Sequence, residues 1–262
     1  MIKNLWRDNE AMQFKDDLAL RVYTSRLLGQ DATLVLHGGG NTSVKVVETN
    51  IVGELEEILY VKGSGWDLVT IEKAGFSPVR MAHMIKLGML ESLSDPKMVN
   101  ELKTQLTLSS APAPSVETIL HAILPFKYVD HTHADAVVTI SNTINGEEII
   151  REIYSDRVVV VPYVMPGFDL SKDVARLFSK YATDKTEGVV LLNHGIFSFG
   201  STARQAYDRM IDLVELAEKY LVDKNAWVIE KPSGNISSKS MFNEIAQLRQ
   251  SVSKVIGSPI LL

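Results

Sequence analysis

Apolar residues recur with a helical period over residues 9–29, and the run ends at Gly29, which predicts a helix closed by a glycine C′ residue. The stretch ATLVLH at 32–37 predicts a strand running into HGGGNTS, and VKVVE predicts a second. A further strand, LYVK, leads into KGSG at 62–65. Beyond it, MAHMIKLGMLESL and MVNELKTQLTL repeat apolar positions every three or four residues, so 78–108 reads as helical. APAPS at 111–115 interrupts this pattern and leads into the helix VETILHAIL, with Ser115 at the N-cap, Glu117 in the first turn and Pro125 as the stop.

KYVDH reads as a short strand and ADAVVTISNT as a helix. RVVVVPYV and GVVLLNH are short, continuous β-branched runs, the pattern of buried strands, with the helix FDLSKDVARLFSKYA between them. Thr202 and Gln205 have the spacing of a capping box for a long amphipathic helix that reaches residue 224. The Ser/Pro-rich segment 231–240, including the Gly-Asn stretch SGNIS, reads as a linker, and a last helix is expected over 241–256. Alternating strands and helices without an internal repeat predict a layered α/β protein with one core. The expected organisation is a domain over 1–230, the linker 231–240, and a C-terminal helical piece over 241–262 that packs on the same domain or on a neighbouring subunit.

Composition narrows the chemistry. The 262 residues are 45% hydrophobic and 23% charged, as in a soluble globular protein. The absence of cysteine excludes disulfides, thiolate metal sites and cysteine nucleophiles. A net charge of −5 argues against a nucleic-acid partner. The opening MIKNLWRDNEAMQF has no apolar signal region, and runs such as VVVVPYV are too short to span a bilayer. A cytoplasmic protein with no membrane partner is the expectation.

Two of the six histidines fall one residue apart in VDHTHAD. On a strand, His131 and His133 share a face, because side chains alternate with period two. They form either a metal half-site or a solvated strand end. A catalytic zinc takes three protein ligands and leaves one position open, and His194, in LLNHG where Gly195 lets the backbone turn, is the candidate for the third. His37 is a competing candidate, and His83 reads as structural. His121, four residues after Glu117, shares its helix face and reads as a partly buried helix residue. Glu117 is explained by the helix macrodipole alone, or as an acid–base group if a metal lies near. HGGGNTS and KGSG can turn backbone N–H groups inward to bind phosphate or carboxylate, though neither is a dinucleotide or nucleoside-triphosphate loop. Lys62, beside one of these loops, is the lysine placed to form a Schiff base, the alternative to metal chemistry.

Together HGGGNTSVK, VKGSG, APSVETILH, VDHTHAD and LLNHG, in this order, resemble the class II aldolase/adducin family over residues 15–225. The resemblance implies a three-layer α/β/α sandwich around a central mixed sheet, assembled as a homotetramer with sites between subunits. It implies zinc, or another divalent transition metal, on His131, His133 and His194, and Glu117 as the proton-transfer group. It implies phosphate contacts at Gly40, Asn41, Ser64, Gly65 and Ser115. The chain has Val116 where fuculose-phosphate-type aldolases carry a second hydroxyl, and the tyrosine near the leaving aldehyde has no evident match. The longer segment between Ser64 and Ser115 is similar to that of the aldolase half of bifunctional rhamnulose-phosphate aldolase/alcohol dehydrogenases. The implied activity is metal-dependent cleavage of a ketose 1-phosphate to dihydroxyacetone phosphate and an aldehyde, which a separate dehydrogenase would consume. A sugar-phosphate dehydratase or epimerase on the same scaffold, and an adducin-like interaction protein without chemistry, are the alternatives.

Overall fold

Seven strands form one mixed sheet in the order β3-β2-β1-β4-β7-β6-β5 in a computed structural model that describes residues 1–228 and 238–260, with side chains from 242 onward in the latter segment. The strands are β1 (Asn41–Thr49), β2 (Leu55–Lys62), β3 (Phe76–Arg80), β4 (Tyr128–Thr132), β5 (Val158–Val161), β6 (Gly188–Leu191) and β7 (Gly195–Gly200). The helices are α1 (Asp8–Ala11), α2 (Asp17–Gly29), α3 (Met81–Gly88), α4 (Asp95–Thr104), α5 (Thr118–Ile123), α6 (Asp135–Ser141), α7 (Gly146–Tyr154), α8 (Phe168–Tyr181), α9 (Ala203–Asp223) and α10 (Ser238–Ile256). Only β5 and β6 pair in parallel; every other neighbouring pair is antiparallel.

Helices cover both faces of the sheet, giving the α/β/α layering expected from the sequence. One layer contains α2, α6, α7 and α9; the other contains α3, α5 and α8. The alternation along β4 distributes its residues between them. Val129 joins the apolar cluster under α5 and α8, while Tyr128 packs with Val44, Ala203 and Ala206 on the other side. Asp130 therefore points away from His131. It forms a fully buried ion pair with Arg21 of α2, Nη1 to Oδ1 2.6 Å.

Residues 1–227 form one compact unit and 228–262 a second. Within the latter, α10 begins at Ser238, earlier than the expected 241, and Arg249 Nε donates to the Ile260 carbonyl at 2.7 Å. The remainder of the expected linker, including SGNIS, lies outside the described residues. No described helix is long and apolar enough to cross a membrane.

Several expected elements differ. ATLVLH is not a strand: the Asp31 carboxylate accepts from the Thr33 N–H and hydroxyl, and the Asp31 carbonyl accepts from Leu34 N–H, which closes a turn. HGGGNTS therefore follows a turn and opens β1. The helix expected over 9–29 is broken at residues 12–16, and Asp16 caps the second part by accepting from Ala19 N–H at 2.7 Å. Gly29 is helical rather than a left-handed C′ residue. Its lack of a side chain serves the approach of Val69, whose backbone N would lie 2.2 Å from a Cβ there. The start of the supposed helical stretch 78–108 belongs to β3, an edge strand that accommodates Pro78.

Candidate metal centre and active site

Antiparallel pairing brings three segment ends to one edge of the sheet. Asn41 at the start of β1 is paired with His131 in β4, and Thr132 is paired with Ile196 in β7. His133 follows the end of β4 and His194 immediately precedes β7, so both lie within reach of His131. The ring centroids are 4.9 Å apart for His131–His133, 5.0 Å for His131–His194 and 5.1 Å for His133–His194. Each ring offers a nitrogen within 4.8 Å of those of the other two. His37 lies apart from this cluster, exposed and at φ 49°, and His83 pairs with Glu101 at 2.8 Å on the α3–α4 side.

Two features let the rings approach. Asn193 takes the left-handed conformation, φ 59°, and its side-chain amide donates to the Ser141 carbonyl and to Asn142 Oδ1. The backbone thus turns at Asn193, not at Gly195 as expected. Gly195 is required for space: a Cβ there would lie 2.4 Å from the Thr132 carbonyl oxygen and 3.1–3.2 Å from the rings of His131 and His133. The His131 ring also stacks on Phe197, with centroids 4.1 Å apart and an interplanar angle of 14°.

His131 Nδ1 lies 3.1 Å from the Ile196 carbonyl, which only an N–H can satisfy, so Nε2 carries the lone pair. That Nε2 is buried and has no hydrogen-bond partner; the same holds for His194 Nδ1 and Glu117 Oε1. Unpaired buried polar atoms are costly, and three histidine rings that each offer a nitrogen within 4.8 Å of the others, two of them with an unpaired buried nitrogen, are the donor set a divalent transition metal satisfies. The residues fit the implied ion.

Glu117 supplies the carboxylate. It occupies the N-cap position of α5 at φ −89°, ψ 9°, so it precedes the first helical turn in which it was expected. Its Oε2 lies 3.6 Å from His131 Nε2 and its Oε1 3.7 Å from His194 Nε2. Burial raises its pKa to about 7, opposed by the hydrogen bond from Asn41 and by the charge of Lys62. Burial lowers the pKa of all three histidines, that of His194 to about 4. In the metal-free protein the histidines therefore remain neutral near pH 7, the form that ligates.

These shifts make stability depend on pH. A histidine whose folded pKa is lowered contributes stability that is complete above its unfolded value near 6.5 and is lost as pH falls toward the folded value. For His194 the window runs from 6.5 to about 4. His194→Gln has no proton to take up there, so between pH 7.5 and 4.5 the metal-free variant should lose about 2–3 kcal/mol less than the metal-free parent. Denaturant unfolding of chelator-treated proteins at the two pH values reads the difference; equal losses would show that His194 is not held neutral.

The pocket in front of Glu117 has a volume of about 250 Å³ and is lined by both glycine loops, Ser115, His133 and His194. All five expected anion contacts, Gly40, Asn41, Ser64, Gly65 and Ser115, lie on its wall. Gly40 adopts φ +62°, and a Cβ there would meet Val35 and the His131 carbonyl below 3 Å. Not every loop N–H turns inward as expected: Gly39, Gly63 and Ser64 N–H groups donate to Leu36, Gly75 and Ala113 carbonyls. Lys62 is the residue whose importance the sequence understated. It is the one cation on the pocket wall among the described residues, 3% exposed, and its Nζ donates to the Gly38 carbonyl at 2.8 Å. His121 is fully buried rather than partly so, and its ring lies behind Asn41.

Comparison with known proteins agrees with this geometry. The model for the class II aldolase and adducin N-terminal domain matches residues 19–221. The chain is 39% identical over 224 residues to an uncharacterized oxidoreductase, YuxG, of Bacillus subtilis (strain 168), covering 86% of this chain and 32% of that protein. It thus spans about a third of that relative's length. The N-terminal class II aldolase domain of a conserved protein from Thermoplasma acidophilum superposes with a TM-score of 0.78 at 42% identity, covering 84% of this chain and all of that one. A sugar-phosphate aldolase from Thermotoga maritima, at 16% identity, a TM-score of 0.58 and coverage of 82% and 97%, shares the fold. A match running from α2 almost to the end of α9 takes in every strand and every residue of the histidine–glutamate cluster, and the chain belongs to the class II aldolase and adducin N-terminal domain family.

Proposed function

We propose that the protein is a metal-dependent aldolase that cleaves a ketose 1-phosphate to dihydroxyacetone phosphate and an aldehyde. The observation that carries this reading is Glu117 Oε1, buried and without a hydrogen-bond partner, beside the three-histidine cluster at the back of an anion-sized pocket. Zinc or a similar divalent ion bound by His131, His133 and His194 supplies Lewis-acid stabilisation of negative charge on substrate oxygens. Glu117 does the proton work. As the C3–C4 bond breaks, the C4 hydroxyl gives up its proton and becomes the aldehyde carbonyl, and the bond's electron pair leaves an enediolate that Oε1 protonates at C3. The released proton restores the Glu117 carboxyl. In the condensation direction Oε1 removes the C3 proton from dihydroxyacetone phosphate, and the new C4 oxygen takes up a proton. A carboxyl group whose pKa is near 7 is matched to both directions at neutral pH.

Lys62, the Ser64 and Ser115 hydroxyls and the glycine loops hold the phosphate. Lys62 supplies charge where Val116 replaces a hydroxyl. The Lys62→Met variant should raise KM for a phosphorylated substrate by about 10- to 100-fold, the value of one charged hydrogen bond, with kcat little changed. Retained kcat would also exclude a Schiff base on Lys62. The oxidoreductase name of the longer Bacillus relative supports an aldehyde product that a dehydrogenase consumes. A cytoplasmic homotetramer completes the proposal.

The test is a panel of ketose 1-phosphates and their phosphate-free counterparts, with dihydroxyacetone phosphate measured enzymatically and solvent deuterium exchange into dihydroxyacetone phosphate followed by NMR. Release from one or more phosphorylated substrates, with exchange, is the expected result. Loss of water from a sugar phosphate would assign a dehydratase instead. No turnover and no exchange would favour an interaction protein.

A further inference from the structure

The side chain of Asn41, implied as a phosphate contact, is occupied within the protein. Its Nδ2 donates to Glu117 Oε2 at 2.5 Å and to Ser115 Oγ at 3.2 Å. Its Oδ1 is bonded to His121 Nε2, and His121 Nδ1 lies 2.7 Å from Ser43 Oγ. The four residues come from two elements: Asn41 and Ser43 share one face of β1, and Glu117 and His121 lie one turn apart at the start of α5. All four are almost completely buried, between 0 and 6% exposed.

Hydrogen-bond chemistry fixes the direction of the chain. In its ionised form Glu117 only accepts, so there Nδ2 faces the carboxylate and Oδ1 faces the imidazole. His121 Nε2 must then carry the proton, which leaves Nδ1 to accept from the Ser43 hydroxyl. Burial and the nearby charges of Lys45 and Arg21 hold His121 neutral, pKa about 3, so the ring has one donor and one acceptor to offer. The sequence Ser43–His121–Asn41–Glu117 therefore ends on Oε2, and Oε1 is left without a partner.

We infer that His121 and Asn41 are positioning residues for proton transfer: the chain from Ser43 through both side chains pins Glu117 Oε2 and thereby commits Oε1 as the oxygen that carries the proton. This rests on the role proposed for Glu117 above. Neither residue reaches the reacting atoms through this chain. A carboxyl group free to rotate would present either oxygen to the substrate, and misplacement of a catalytic group by about 1 Å costs on the order of 100-fold in rate.

The experiment compares His121→Leu, which removes the donor to Asn41, with His121→Gln, whose amide keeps a donor near the position of Nε2. In the metal-loaded enzyme, His121→Leu should lower kcat by about 10- to 100-fold with KM within about threefold and metal content unchanged, and His121→Gln should recover most of the loss. An unchanged kcat, a loss confined to KM, or equal losses in both variants would overturn the inference. A second measurement does not depend on activity or on the variants folding. In the parent protein labelled with 15N-histidine, NMR should show His121 protonated at Nε2 and bare at Nδ1, and Asn41→Ala should shift that Nε2–H signal. Protonation at Nδ1 would overturn the inference. A parent enzyme without turnover or exchange on the whole substrate panel would reject the proposed function, while the NMR result would still decide the hydrogen-bond chain.

Discussion

Glu117→Gln should lower kcat for cleavage and for solvent exchange by about 10²- to 10⁴-fold, the usual worth of a positioned acid–base group, with bound metal retained. The substitution removes the proton carrier and little else. The glutamine carbonyl can still accept from Asn41 Nδ2, as Oε2 does at 2.5 Å, and the side-chain volume is nearly the same. Stability should move in the opposite direction to activity. Burial raises the folded pKa of Glu117 to about 7, so in the metal-free protein its contribution declines as pH rises from the ordinary carboxylate value through 7. Above pH 7 the metal-free variant should be more stable than the parent by about 1–3 kcal/mol, and the gap should close toward pH 4.5. Paired kinetics and denaturant unfolding measure both effects. A variant that keeps its activity would remove Glu117 from the chemistry.

The Arg21→Met variant should cost about 3–5 kcal/mol of folding stability, a large share of the 5–15 kcal/mol typical of a domain. Arg21 and Asp130 are both completely buried, and Arg21 also donates to Thr24 Oγ1 at 2.5 Å and to Ser25 Oγ at 3.3 Å. Without the guanidinium, Asp130 is left as a buried carboxylate beside His131 in β4. Burial already raises its pKa, opposed chiefly by Arg21, so in the variant the deficit should narrow as pH falls and Asp130 takes up a proton. The double variant Arg21→Met/Asp130→Leu should recover most of the loss, because a buried pair is often replaceable by apolar residues of similar volume. Urea unfolding at pH 7.5 and 5 checks all three statements. A deficit below about 1 kcal/mol for Arg21→Met would show that the pair is not a structural anchor of β4.

The sequence revealed the parts of the site that depend on local pattern. The one-residue spacing of His131 and His133 and the β-branched runs at 158–161 and 188–191 are visible without a partner. Elements shaped by turn chemistry were not. ATLVLH has the composition of a strand, but the Asp31 side chain competes for its backbone. β3 was hidden by Pro78 and by the helical pattern that follows, and β7 by glycine at both ends. The hydrogen-bond chain behind Glu117 joins residues 76 to 80 positions apart, and the burial of Lys62 depends on loops from distant segments. These contacts form only when α5 and the loop before β1 pack against the paired strands β1 and β2.

The histidine cluster carries the proposed chemistry, and the metal content of the purified protein tests it directly. After equilibration with zinc and removal of free metal, elemental analysis should find about one divalent ion per chain in the parent protein and none in His131→Ala/His133→Ala. No ion in the folded parent protein, or an equal amount in both, would contradict the assignment of His131, His133 and His194 as the metal centre and, with it, the proposed aldolase.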